Sequence, residues 1–390
     1  MPTVDAARMI VLAQRSIAII LANQAPSGAY LASPRFPVYR YSWLRDGAFI
    51  ADAMSRAGEI ASAEAFFAWC GRVLDARAGR VERLIARRVL GEPIATAEFL
   101  HTRYTVDGDE ADAEWWNFQL DGYGAWLWAL AEHVRRHGRL VAAARTGAVL
   151  SARYVAAFWD HPSYDWWEEH AAHRHTSTLA AVWAGLRGAC DVLDLPGRLG
   201  ADVEAAADAI RTTVLADAVP RGRLAKWLGG TAVDASLLAV GVPFGLLGPD
   251  DPHMRATVRA IEAQLVHAGG VHRYLADTYY GGGEWLLLAG FLGWHYAALG
   301  REAEARGELS WIARHATETD ELPEQVDDHL LAPAARAAWV DRWGPVAAPL
   351  LWSHAMYLPL ALELGVVTSE ALVGDRGSAS AARTAVSGPQ

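Results

Sequence analysis

The same apolar spacing returns in segment after segment of this chain. Ile10, Ala13, Ile17 and Ile20 fall three, four and three residues apart, and Leu120, Tyr123, Leu127 and Leu130 repeat the pattern. So do Leu179, Val182, Leu186 and Ala189, then Val203, Ala206, Ile210 and Val214, then Val258, Ile261 and Leu265. Leu351, Ala355, Leu358 and Leu362 close the series. A period near 3.6 puts one apolar stripe on each helix, and each stripe must face a shared core. Strand-like alternation is short and sparse. The spacing predicts roughly ten to thirteen helices in one run, with no Pro/Ser-rich linker to divide them. The expected fold is all-α, a single toroid of paired helices over residues 1–370. Asp250-Asp251-Pro252 and Thr176-Ser177 sit where N-caps are expected. From Gly374 to Gln390 the chain is rich in Gly, Ser, Ala and Arg without an apolar period, and is expected to be a disordered tail.

Long loops separate the helices, at about 25–43, 101–119, 159–175, 219–232, 268–284 and 318–349, and they are rich in Tyr, Trp, Gly, Asp and Pro. Chemistry is usually carried by loops held on a rigid scaffold. A net charge of -10 argues against a nucleic-acid partner, which would need clustered Lys and Arg. Lys226 is the sole lysine, so no polybasic membrane patch can be built from lysine. No segment is long and apolar enough to span a bilayer, and the N-terminus lacks a basic n-region. Cys70 and Cys190 are the two cysteines, so no disulfide framework is expected and a cytoplasmic location is anticipated. Seventeen tryptophans suit a protein that stacks rings on sugar faces.

One loop stands out. Tyr164-Asp165-Trp166-Trp167-Glu168-Glu169 interleaves three carboxylates with two indoles. Glycoside cleavage needs a carboxylic acid to protonate the leaving oxygen. Apolar walls around such an acid favour its protonated form. His170, His173 and His175 follow directly, but their spacing does not match His-Glu-x-x-His, and no metal site is expected there. Thr105-Val106-Asp107-Gly108-Asp109-Glu110 resembles half of a calcium loop, yet lacks the remaining ligands and is expected to form a turn.

Five loop segments, in order, resemble the catalytic domain of the glucoamylase family, glycoside hydrolase family 15. They are Tyr39-Arg40-Tyr41-Ser42-Trp43-Leu44-Arg45-Asp46, Trp115-Trp116-Asn117-Phe118-Gln119-Leu120-Asp121-Gly122, the carboxylate–indole loop, Arg273-Tyr274 with Asp277-Thr278-Tyr279-Tyr280 and Trp285, and Leu322-Pro323-Glu324-Gln325 followed by Leu351-Trp352-Ser353-His354. The resemblance runs from about residue 8 to 364. It implies an (α/α)6 barrel that removes a terminal glucose from the non-reducing end with inversion. An inverting enzyme holds two carboxyls roughly 6.5–9.5 Å apart, one as acid and one to activate water. By resemblance Glu168 is the acid and Glu324 the base. Tyr39 sits under the ring near the anomeric carbon, where its face steadies positive charge, and Tyr279 positions Tyr39. Arg45 and Asp46 hold the hydroxyls farthest from the cleaved bond, with Arg273 in a similar role. Trp167 and Trp115 supply apolar surface near the acid. Glu169 and Trp116 face the next sugar, as does the His-rich loop, and Trp285 is a pocket wall. Trp43, a substrate-pocket candidate, is read with Tyr41 and Asp277 mainly as support for the site.

The resemblance implies no cofactor. The larger bacterial relatives carry a β-sandwich domain and many fungal ones a starch-binding module; neither is seen here. In size and layout the chain resembles the small single-domain isomaltose glucohydrolases. The expected substrate is therefore a short α-glucoside, with α-1,6 linkage preferred. Activity on another α-glucoside as a glucoamylase, glucodextranase or trehalase is the first alternative. A sugar isomerase or epimerase would use paired histidines and need no second carboxylate. A phosphorylase would replace the base by a phosphate site, and a sugar-binding protein without activity would need neither carboxylate.

Overall fold

The computed structural model describes residues 4–111 and 114–372, and the expected tail at 374–390 lies outside them. The α-helices that build the architecture are α1 (Ala6–Ala22), α2 (Leu44–Arg56), α3 (Ile60–Asp75), α4 (Ala78–Leu90), α5 (Asp121–His137), α6 (Arg145–Phe158), α7 (Thr176–Val192), α8 (Gly197–Asp217), α9 (Leu238–Gly241), α10 (Pro252–Leu265), α11 (Leu286–Ala298), α12 (Glu302–Arg314), α13 (Arg336–Trp343) and α14 (Leu351–Glu363). Helix α2 touches α5, α5 touches α7, α7 touches α9, α9 touches α11, α11 touches α14, and α14 returns to α2. That closed ring is the inner wall. Outside it, α1 packs on α14, α3 on α2, α6 and α8 on α7, α10 on α9, and α12 on α11. This is an (α/α)6 barrel.

Burial separates the two rings. Outer helix α8 buries Val203, Ala206, Ala207, Ile210 and Val214, and α10 buries Met254, Thr257, Val258, Ile261 and Leu265, each a single stripe. In α1 the buried face is Met9, Leu12, Ala13, Ser16, Ile17 and Ile20, turned so that Ile10 is exposed. The expectation of one stripe per helix fails for the inner ring. Every residue from Leu286 to Tyr296 in α11 is buried, as is every residue from Leu351 to Ala361 in α14. An inner helix is covered by its neighbours, by the outer ring and by the barrel centre, so no face is left for water.

Local signals set several boundaries. Helix α10 starts at Pro252, and the Asp251 side chain accepts a hydrogen bond from the His253 N–H at 2.8 Å. For α7 the expected cap is displaced. His175 precedes the helix in an extended conformation bridged to Trp227, and Thr176 spends its hydroxyl on the Ala225 carbonyl at 2.6 Å. Residues 105–110 form the expected turn, with Gly108 at φ +94°. Helix α13 was not anticipated in the loop at 318–349; it spans 8 residues, none fully buried, so its apolar residues Trp339, Val340 and Trp343 make a stripe too short to read as a helix.

Three short antiparallel pairs sit at one end of the barrel. They are β1 (Ser42–Trp43) with β2 (Arg103–Tyr104), β3 (Val266–His267) with β4 (Gly270–Val271), and β5 (Glu284–Trp285) with β6 (Gln325–Val326). Strand β1 runs straight into α2 and β5 into α11, so these pairs anchor loops at inner-helix N-termini. Cys70 and Cys190 are free thiols. Among the described residues no helix is long and apolar enough to cross a membrane.

Close backbone approach explains two glycines. A Cβ on Gly124 of α5 would lie 2.5 Å from the Ala181 carbonyl oxygen of α7, and one on Gly185 of α7 would lie 2.4 Å from the Gly124 carbonyl oxygen. These atoms are backbone and cannot swing away. Gly124→Val is expected to destabilise the protein by about 1–3 kcal/mol or more, as overpacking does, read as a lower urea midpoint; an unchanged midpoint would show that the two helices can part.

Candidate active site

The loops that enter the inner helices converge on one pocket. It encloses about 950 Å³, counting its open mouth. All the candidate residues line it: Tyr39, Trp43, Arg45, Asp46, Trp115, Trp116, Trp167, Glu168, Glu169, Arg273, Tyr279, Trp285 and Glu324. They come from the segments before α2, α5, α7, α11 and α14. Five stretches far apart in sequence are thus gathered at one rim.

Glu168 sits in a turn that its neighbours impose. Its φ is +65°, a left-handed conformation that costs a non-glycine residue roughly 1–2 kcal/mol. Asp165 compensates. Its carboxylate accepts hydrogen bonds from the Trp167 N–H at 3.0 Å and the Glu169 N–H at 2.8 Å, and its carbonyl accepts from the Glu168 N–H at 3.0 Å. The Glu168 carboxylate then accepts from Trp43 Nε1 at 2.8 Å and from Gln119 Nε2 at 3.1 Å. Gln119 is itself held by Arg45 at 2.9 Å and by the Thr102 hydroxyl at 3.0 Å, both donating to its side-chain oxygen.

Glu324 is 3% exposed and precedes β6. Tyr39 donates to its Oε1 at 3.0 Å, and the hydroxyls of Tyr39 and Tyr279 are 2.9 Å apart. Tyr39 has one hydroxyl hydrogen and gives it to Glu324, so Tyr279 is the donor between the two tyrosines. Glu324 Oε2 is buried with no partner among the described residues. Burial pushes the Glu324 carboxyl up to about 8, against the hydrogen bond from Tyr39 and the charge of Arg273. The rings of Tyr39 and Trp43 meet edge to face with centroids 5.6 Å apart. One aromatic pair therefore links the groups that hold Glu324 and Glu168.

Arg45 and Arg273 are matched to carboxylates, whereas Arg103 lies over aromatic rings and donates to the Val38 carbonyl at 3.0 Å. Arg45 pairs with Asp46 and with Asp121, both at 3.2 Å. Burial pushes Asp46 up to about 6, against the charge of Arg45. Arg273 forks onto Asp277, with 2.7 Å from its Nε, and lies 3.6 Å from Glu169. Tyr274 also donates to Glu169. Trp115 packs edge to face on Trp43 and Trp116, and carries the Arg103 guanidinium 3.7 Å from its ring centre. Trp116 is 40% exposed at the mouth.

Sequence reasoning missed several functional neighbours. Lys226 was used above to exclude a polybasic patch, yet it is buried between Asp165 at 3.2 Å and Asp234 at 2.9 Å, with its ammonium 3.6 Å from the Tyr274 ring centre. Asp234 also accepts from Trp167 Nε1 at 2.9 Å. A sole lysine among 35 Lys and Arg residues was the available signal. Trp339 and Trp343 of α13, with Phe36 and Trp352, complete the aromatic lining. None of the three histidines lines the pocket, although His170 Nε2 lies 3.8 Å from Glu169, which does. His173 stacks on Trp227 at 4.3 Å and 8°, His175 is buried, and His170 packs beside Trp227 and Tyr274.

An aromatic pocket at the rim of an (α/α)6 barrel, with two carboxylates held by neutral donors and with Arg45 and Arg273 tied up in pairs, defines a carbohydrate-cleaving enzyme. The family profile described as "Glycosyl hydrolases family 15" matches residues 6–302. The chain is 49% identical over 366 residues to the isomaltose glucohydrolase of Kribbella flavida, covering 93% of this chain and 95% of that one. A glycosidase variant solved in complex with glucose superposes with a TM-score of 0.90 at 48% identity, over 93% of this chain and 98% of the other. A glucoamylase from Saccharomycopsis fibuligera shares the fold, with a TM-score of 0.72 at 15% identity over 93% of this chain and 97% of that one. The chain belongs to glycosyl hydrolases family 15, and it is an exo-acting α-glucoside hydrolase.

Lys226 supplies a test of the acid loop. Lys226→Met leaves Asp165 and Asp234 buried without their cation, which is expected to cost about 3–5 kcal/mol of stability. Turnover should fall as well, because Asp165 shapes the turn that carries Glu168. Urea unfolding and kcat measured on the same variant check this; wild-type values for both would remove Lys226 from the support of the site.

Proposed function

We propose that the enzyme hydrolyses isomaltose and other short α-1,6-glucosides from the non-reducing end, with Glu168 as general acid, Glu324 as general base and β-glucose as the first product. The observation that carries the mechanism is Glu324. One of its oxygens is fixed by Tyr39, and the other, buried and unpartnered among the described residues, is free to take a proton from water. Glu168, held by Trp43 and Gln119 on the far side of the Tyr39–Trp43 pair, gives its proton to the glycosidic oxygen. Water then adds to the anomeric carbon as the bond to the leaving sugar breaks, and its proton passes to Glu324. Tyr39 stands beside the base, where its ring faces the developing positive charge.

The remaining candidates read the two ends of the substrate. Arg45 and Asp46 take the hydroxyls far from the cleaved bond, where charge-assisted bonds are strong, and Arg273 aids them. Trp115, Trp167 and Trp285 wall the pocket, while Glu169 and Trp116 face the leaving sugar. The preference for isomaltose is supported by the likeness to the Kribbella flavida isomaltose glucohydrolase over nearly the whole chain. A single catalytic domain over 1–370 fits the closed ring of helices, and two free thiols fit a cytoplasmic location.

Two kinds of measurement test the roles, kinetics with product analysis and pH dependence. Glu324→Gln should lose nearly all turnover of isomaltose, at least about 10²-fold, while still binding glucose, and NMR of the wild-type reaction should show β-glucose first. Near-normal kcat would remove Glu324 as base, and initial α-glucose would rule out inversion. The second is a pH profile. A base must be ionised, so activity rises with pH as Glu324 loses its proton. With burial holding Glu324 at about 8, the rising limb of kcat/KM should lie above the ordinary carboxylate range of about 4. Tyr39→Phe removes a hydrogen bond to the ionised form and should move that limb higher still. A limb near pH 4 that ignores Tyr39→Phe would contradict the assignment.

A further inference from the structure

A second cluster of ligating side chains lies outside the sugar pocket. His267 ends β3, Glu284 begins β5, and His329 lies in the loop after β6. One ligating atom from each lies within 4.8 Å of the other two. His329 Nδ1 is 3.1 Å from Glu284 Oε1, and the imidazole rings of His267 and His329 have centroids 3.7 Å apart. Tetrahedral zinc, with bonds of about 2.0–2.2 Å, sets its ligands about 3.3 Å from one another. The cluster is already near that spacing.

Glu284 supplies the independent observation. Its residue is fully buried, and its Oε2 has no hydrogen-bond partner among the described residues. An orphaned buried carboxylate oxygen is costly unless something claims it. Burial accordingly raises the Glu284 carboxyl above its ordinary range, partly offset by His329. The backbone also makes room for this carboxylate. A Cβ at Gly270, which pairs with His267 across the β3–β4 hairpin, would lie 2.2 Å from Glu284 Cδ. The imidazoles stand at the solvent side, so the buried carboxylate closes the floor and an ion has an open path of entry.

We propose that His267, Glu284 and His329 form a binding site for one divalent transition metal ion of the zinc type, with its remaining position open to water. Two imidazoles and one carboxylate suit such an ion, whereas calcium and magnesium prefer all-oxygen sets. Bound there, the ion fastens the β3–β4 hairpin to β5 and to the loop after β6. Trp285 follows Glu284 and lines the sugar pocket, and it pairs across the ladder with Gln325, the neighbour of Glu324. The ion thus clamps the strands that carry this wall of the pocket.

The test uses the full chain without a polyhistidine tag, stripped by a chelator and titrated with Zn²⁺ alone by calorimetry and thermal unfolding. One Zn²⁺ per chain is expected, with a Tm that climbs as free Zn²⁺ rises above its Kd. Co²⁺ in its place should give the visible absorption of an imidazole-bound ion. His267→Ala and His329→Ala should each weaken Zn²⁺ binding at least about tenfold. His170→Ala with His173→Ala, in the other histidine cluster, should leave it unchanged. Absence of saturable binding, or binding equally strong in both single variants, would overturn the site; so would loss of binding in the His170/His173 variant alone.

Discussion

Charge placed among aromatic rings has to be paired or hydrogen-bonded, and that constraint organises the barrel's rim. Arg45 is answered by Asp46 and Asp121, Lys226 by Asp165 and Asp234, and Arg273 by Asp277. Each pair also fixes backbone. Arg45 and Asp46 are in the first turn of α2, and Asp165 shapes the turn that forces Glu168 into its left-handed conformation. Glu168 and Glu324 are the contrast. Among the described residues neither forms an ion pair, and each is held by neutral donors, Trp43 and Gln119 for one and Tyr39 for the other. Ion pairs thus fix the backbone of the rim, while the two candidate catalytic carboxylates are left to neutral donors.

Helix packing is what allows such polar density. The inner ring is buried on every side along α11 and α14, and at Gly124 and Gly185 the helices approach to backbone contact. With the core closed by that ring, the segments before its N-termini are free to carry side chains that a core would reject. Inner-helix N-termini also turn their positive dipole ends towards the rim, an environment favourable to carboxylates.

Much of this was legible in the chain. Outer helices such as α8 showed their stripes directly, because water on one side enforces alternation of character with the helical period. Inner helices showed only part of theirs: in α14 Leu351, Ala355 and Leu358 are buried and Leu362 half-buried, but the residues between Leu351 and Ala361 are buried as well, and periodicity carries no signal where no face is wet. The site was legible because its residues cluster locally in five short segments, and all of them line the pocket. What escaped were partners supplied from afar. Nothing near Lys226 in sequence announces Asp165, and α13, at 8 residues, is too short to show a period. Trp227, on which His173 stacks, likewise comes from a distant loop, and nothing beside the histidines in sequence announces it.

The account rests on Glu168 and Glu324 standing on opposite sides of one sugar ring's anomeric carbon. The most direct measurement is a crystal structure of the Glu168→Gln variant soaked with isomaltose. The account predicts a terminal glucose whose distal hydroxyls meet Arg45 and Asp46, a glycosidic oxygen beside residue 168, and a water between Glu324 and the anomeric carbon. A glycosidic oxygen on the Glu324 side, or a sugar bound with its reducing end towards Arg45, would contradict it.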